Sequence, residues 1–203
     1  MSRKPLALVA GIVAFFAASY VTRQAIDFVR RDPQISKQIL EKSWVEQGLG
    51  DTSLAFNVPW NLQPQDLSLP PQLAKLIQSS VTMSHEADGL HVSAMHMAFV
   101  PGTPTSLEGA ANGAINNLKT VPGTTNVAGG KHELMLFNGQ TPGFEIDARI
   151  ERQRGVPLQM RGVVFGNGPE LYQILMICRA DQASGAAIWE RIRSSIHVQG
   201  TRS

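Results

Sequence analysis

The sequence predicts an α+β domain. It is read as a mainly antiparallel sheet of about six to seven strands with helices packed on it, preceded by an N-terminal transmembrane helix. Three observations carry this. Residues 143–152 alternate strictly, with Phe144, Ile146, Ala148 and Ile150 against Glu145, Asp147, Arg149 and Glu151, the period of a strand with one buried face. Successive strand-like runs are joined by short turns rich in Gly, Asn, Asp and Pro, which favours antiparallel neighbours. The 17 residues from Pro5 to Val21 carry no charge.

The apolar segment comes first. Arg3 and Lys4 precede it and Tyr20 stands where an interfacial aromatic belongs. At about 1.5 Å per residue, residues 5–21 nearly span a hydrocarbon core. An uncleaved anchor is the favoured reading, because Arg23, Ile26, Phe28, Val29, Arg30 and Arg31 continue a helical pattern with no intervening loop. A signal peptide with a small-residue site at Ala17-Ala18-Ser19 is the alternative. Residues 1–22 are therefore read as anchor or signal peptide, 23–51 as a helical linker and 52–199 as the α/β domain.

Within the linker, Asp32 caps a stretch beginning at Pro33, and Ile35, Ile39, Leu40 and Trp44 recur at helical spacing before Gly48 and Gly50. This predicts an amphipathic helix over 34–47. Residues 54–60 read as a first strand stopped at Pro59. Leu73, Leu76 and Ile77 suggest a turn or two of helix after Pro70-Pro71.

Residues 80–84 and 90–100 form a predicted hairpin about Ala87-Asp88-Gly89. Thr105 or Ser106 caps a helix over 107–119, with Leu107, Ala111, Ile115 and Leu118 on its core face. Four strands follow, at 131–137, 143–152, 158–165 and 170–178, the last two joined at Gly166-Asn167-Gly168-Pro169. A last helix runs from caps at 181–184 to about Ser195, its inner face expected at Ala183, Ala187, Ile188 and Ile192.

Several stretches together resemble bacterial PsbP-like and DcrB-like domains, over residues 52–198. Phe56-Asn57-Val58-Pro59-Trp60 resembles their first-strand opening, although here the Trp directly follows the Pro. The ladder from Phe144 through Val164, with Leu171-Tyr172-Gln173-Ile174, resembles their central meander. The ending from Ile192 through Ser195, Ile196 and Val198 is similar to their closing helix and strand. The resemblance implies a sheet covered by helices, a noncatalytic binding or assembly role, and an envelope-facing domain on the periplasmic or extracytoplasmic side. It names no partner. The sequence departs from lipoprotein members in having no cysteine near its N-terminus, which makes the apolar helix the expected anchor.

The residues themselves offer little chemistry. Eighteen basic against 16 acidic side chains leave a formal charge of +2, too small to argue for nucleic acid. His91 and His96 are five apart in a predicted strand and face opposite sides. No H-x-x-x-H, C-x-x-C, G-x-S-x-G or Gly-rich loop followed by G-K-[ST] occurs. Neither a metal, a cofactor nor a catalytic residue is assigned. Cys178, the one cysteine, lies in the apolar run Ile174-Leu175-Met176-Ile177 and reads as core.

Glu145, Asp147 and Glu151 share a strand face, where two carboxylates are able to approach as an acid/base pair. Arg149 lies among them, and Arg161 is expected across the strand. A solvated charged face is the simpler reading, and these five residues form the expected partner-binding face. Met83, Met95, Met97, Met135, Met160 and Met176 are spread over predicted strands. Most are expected in the core, but several clustered at one opening would line a soft groove for lipid or peptide. A membrane-tethered module with a protein partner is thus the first expectation, a carrier or sensor of an apolar ligand the second, and an enzyme the third.

Overall fold

The computed structural model describes residues 35–67 and 69–199. The predicted apolar helix at 5–21 and its continuation through 31 lie outside the described residues. Within them, no helix is long and apolar enough to cross a membrane.

The main sheet has seven strands in the order β3-β4-β5-β9-β8-β7-β6, every neighbouring pair antiparallel. These are β3 (Gln63–Pro64), β4 (Ile77–Ala87), β5 (Leu90–Phe99), β6 (Thr124–Leu136), β7 (Thr141–Arg152), β8 (Leu158–Phe165) and β9 (Glu170–Arg179). A smaller sheet pairs β1 (Val45–Gly48) and β10 (His197–Val198) on either side of β2 (Leu54–Val58). The helices are α1 (Pro71–Ala74), α2 (Leu107–Lys119) and α3 (Ser184–Ser194).

The path follows from the connections. β4 and β5 form a hairpin whose two-residue loop, Asp88-Gly89, has both φ angles positive (50° and 75°). That geometry matches the twist of the strands. α2 then carries the chain to the far edge of the sheet, and β6 to β9 return as a meander until β9 closes against β5. Ser106 caps α2 by accepting the Gly109 N–H (2.9 Å).

Each face of the sheet has its own core. On one, α2 lays Ala110, Ala111, Ala114 and Leu118 over Met95, Met97, Ile146, Ala148 and Met160. On the other, Ile188, Trp189 and Ile192 of α3 and Phe56 of β2 pack over Leu90, Val92, Ile174, Met176 and Cys178. β5 is buried along its whole length, because it has a layer on both sides.

Several expectations are corrected. The helix expected over 34–47 is instead a single 3-10 turn, Lys37–Ile39, followed by β1. Its apolar residues are buried, but by distant partners: Ile35 and Ile39 join the α3-side core, and the Arg191 guanidinium lies 4.2 Å from the Trp44 ring centroid. Pairing of Val45–Gly48 with β2 overrides the local helical spacing. The part of the helical linker that the structure describes, from residue 35, therefore supplies a strand and core residues. Ile77 belongs to β4, not to a helix. β6 begins seven residues earlier than expected, at Thr124, and stops at Leu136, because Phe137 has a left-handed φ of 52°.

The inner face of α3 also differs. Gly185 and Trp189 are buried with Ile188 and Ile192, whereas Ala183 and Ala187 are exposed. The bulk of Trp189 rotates the buried stripe toward itself. Asp181 does not cap the helix, since Arg179 holds its carboxylate at 2.5 Å and keeps it below the usual aspartate range.

Candidate functional site

α3 and the small sheet cover only part of their face of the main sheet. Beyond them, β7 and β8 present Glu145, Asp147, Arg149, Glu151 and Arg161 on a half-open surface. The alternation read from the sequence produces this: Ile146, Ala148 and Ile150 are fully buried beneath α2, so the intervening residues must face the other way. Asp147 stands opposite Arg161 in the β7–β8 register.

The structure brings all five predicted residues together, and it also shows how they are occupied. Asp147 accepts from Arg161 at 3.2 Å and from Gln159. Glu151 accepts from Arg149 at 2.7 Å. Glu145 accepts from the Trp189 indole at 3.2 Å and lies 3.6 Å from Arg193. Glu145 and Asp147 thus serve different cations, and their partners hold them to separate tasks rather than as an acid/base pair. Three carboxylates meet three guanidinium groups in one continuous patch.

Trp189, Arg193 and Gln159 were not legible as members of this surface. The first two lie more than 40 residues from Glu145 along the chain, and no local pattern couples α3 to β7.

A second feature lies at the end of β6. Leu134, Met135 and Leu136 end β6 in an apolar run that Phe137 continues; Leu134 and Leu136 turn to the α3 side, whereas Met135, 57% exposed, turns to the α2 side. Beside it is an open hollow of about 420 Å³ lined by Leu134, Met135, Pro142, Gly143 and Phe144. The sequence signal was that run of four apolar residues at the end of a strand. Phe137 packs edge-on against Phe165, which stacks on Tyr172, which in turn meets His96. Burial, with the Glu170 charge, raises the Tyr172 pKa.

The methionines do not gather at an opening. Met95, Met97 and Met160 lie in the α2-side core, Met176 in the α3-side core, and Met135 stands apart at the β6 end. His91 pairs with Glu86 and His96 with Glu170, on opposite faces of β5. Among the described residues, no three His, Cys, Asp or Glu side chains converge as a metal site would require. Cys178 is buried against Gly185, and its thiol is pushed up to about 11 by burial, opposed by the nearby Arg161 charge. A buried, protonated thiol is inert.

No family model and no curated protein matches the chain. Solved structures do. The solution structure of cyanobacterial PsbP (CyanoP) from Synechocystis sp. PCC 6803 is similar over 77% of this chain and 92% of that one, at 12% identity and a TM-score of 0.51. The fold is PsbP-like. The crystal structure of PA94, a protein of unknown function from Pseudomonas aeruginosa, is matched over 79% of this chain and all of that one, at 15% identity and a TM-score of 0.41. At 12% identity the likeness to CyanoP is one of fold.

Proposed function

We propose that this chain is a membrane-anchored, noncatalytic binding or assembly module, with its domain on the extracytoplasmic side. One observation carries the reading: on the α3 side of the sheet, β7 and β8 are left partly uncovered and bear a continuous ion-paired patch. A half-open polar surface whose charges are already paired resembles the polar rim of a protein interface. The pairwise engagement of Glu145, Asp147 and Glu151 supports binding over acid/base chemistry. The uncharged run at 5–21 supports the tether.

The test places a photocrosslinking residue at Arg149, and a control at Gln72 on α1, in the full chain in native membranes. A defined protein adduct from position 149 and not from 72, lost when 5–21 is deleted, supports the reading. Equal adducts from both positions, or recovery of the full chain in the soluble fraction, would overturn it.

The hollow beside Met135 favours a second reading, a carrier of an apolar ligand. Its volume lies in the range of small-molecule sites. Native mass spectrometry decides this, since a carrier retains lipid and a Met135→Glu variant loses it.

A further inference from the structure

Among the described residues, β6 lies at the edge of the main sheet and pairs with β7 alone. Its outward backbone groups can be identified. The Pro142 carbonyl accepts from Gly166 just beyond β8 (3.3 Å), so even-numbered residues of β7 turn toward β8 and odd-numbered ones toward β6. A side chain added at Gly129 would run into the Asp147 carbonyl, as this requires. With Asp147 opposite Gly130 and Glu145 opposite His132, the even-numbered residues of β6 turn inward. Lys131, Glu133 and Met135 therefore direct their N–H and C=O groups away from the sheet.

We infer that a second copy of this chain pairs on that edge, β6 to β6, antiparallel, about a two-fold axis through His132. Three features select this register. Lys131 and Glu133 are two apart, so the axis sets each Lys131 opposite Glu133 of the second copy, twice. Both are outward-turned residues, and each such pair exchanges two backbone hydrogen bonds. Moving the axis to Lys131 or Glu133 would instead set like charges opposite each other.

The apolar end finds room in the same register. Leu134 falls opposite Gly130 of the second copy and Met135 opposite Gly129. A Cβ placed on Gly130 meets nothing within 4 Å, so space exists above it. Leu134 fills that gap on the α3 side, and on the α2 side the pairing brings a second strand alongside Met135, the most exposed large apolar residue among those described. Lys131 already contacts Glu108 of its own chain (3.2 Å) and lies 5.6 Å from the Phe144 ring centroid, which holds its ammonium on the α2 side beside Glu133. Pairing joins two seven-stranded sheets into one. This inference depends only on the edge geometry and stands apart from any membrane partner.

The experiment is sedimentation velocity of the full chain in detergent, with far-UV circular dichroism to verify folding. The wild type is expected to dimerise. Lys131→Glu and Glu133→Lys should each weaken dimerisation about tenfold or more, since each sets like charges opposite at two sites. Mixing the two variants should restore a dimer, because the doubly acidic edge of one then faces the doubly basic edge of the other. His132→Cys supplies an independent measure. Residues opposed in a non-hydrogen-bonded pair lie about 4.5 Å apart at Cα, within disulfide reach, so mild oxidation should crosslink this variant and not Thr125→Cys. A monomeric wild type, single variants that dimerise normally, or a mixture that stays monomeric would overturn the inference.

Discussion

The indole of Trp189 on α3 donates to the carboxylate of Glu145 on β7 across 3.2 Å. Trp189 is buried, whereas the Glu145 side chain is about one-third exposed. This contact marks the margin where the α3-side core ends and the open charged patch begins. Trp189→Phe keeps the ring packing and removes the donor. It should cost about 1 kcal/mol, the net worth of a hydrogen bond, in urea unfolding. Trp189→Ala also empties the site and should cost about 3–5 kcal/mol. Equal losses would show that the hydrogen bond, not the packing, fixes α3.

Gly185 and Cys178 form a second coupled pair. A Cβ at Gly185 would stand 2.9 Å from the Cys178 sulfur. Gly185→Ala alone should destabilise by about 1–2 kcal/mol through overpacking. In a Cys178→Ala background the same change should be neutral or stabilising, since alanine is the better helix former. Thermal unfolding of the four proteins gives the cycle, and additive effects would refute the contact.

The same thiol predicts an alkaline effect. Its pKa is raised to about 11 in the fold. Between about 8.5, the free thiol value, and 11, the unfolded chain loses the proton first, so stability falls as pH rises through this interval. Denaturation from pH 8 to 11 should show a steeper decline for the wild type than for Cys178→Ala. Parallel declines would place the thiol in solvent.

The cap of α2 offers a simple test. Ser106→Ala removes the acceptor for the Gly109 N–H and should cost about 1 kcal/mol, seen as a lower urea midpoint with an unchanged slope. Ser106→Asp should retain stability.

At the β4–β5 turn, Asp88 has a left-handed φ and also receives Lys42 at 3.3 Å and the Trp60 indole at 3.4 Å. Asp88→Asn keeps the turn conformation and should change the melting temperature little, because an exposed ion pair contributes about 0–1 kcal/mol. Asp88→Val places a β-branched residue at positive φ and should cost about 1–2 kcal/mol. If both variants melt alike, the charge dominates the turn.

The sequence by itself determined the elements whose signals are local. The alternation at 143–152, the Asp88-Gly89 turn and the Ser106-capped helix at 107–119 each depend on residues within a few positions of one another, and each forms at or near its expected bounds. The charged face of Glu145, Asp147, Arg149, Glu151 and Arg161 was legible for the same reason: strand alternation fixes which residues share a side.

Tertiary structure alone decided the rest. Residues 35–48 carry helical spacing, yet four of them pair with β2, and Ile35 and Ile39 bury in a core that includes α3, more than 140 positions away. A backbone whose hydrogen bonds are met by a distant strand gains burial and pairing together, and a weak local preference yields. The reach of Trp189 and Arg193 onto β7, and the placement of β6 at an open edge, have the same origin. Both follow from α2 carrying the chain across the sheet, a long-range choice that no short window of sequence encodes.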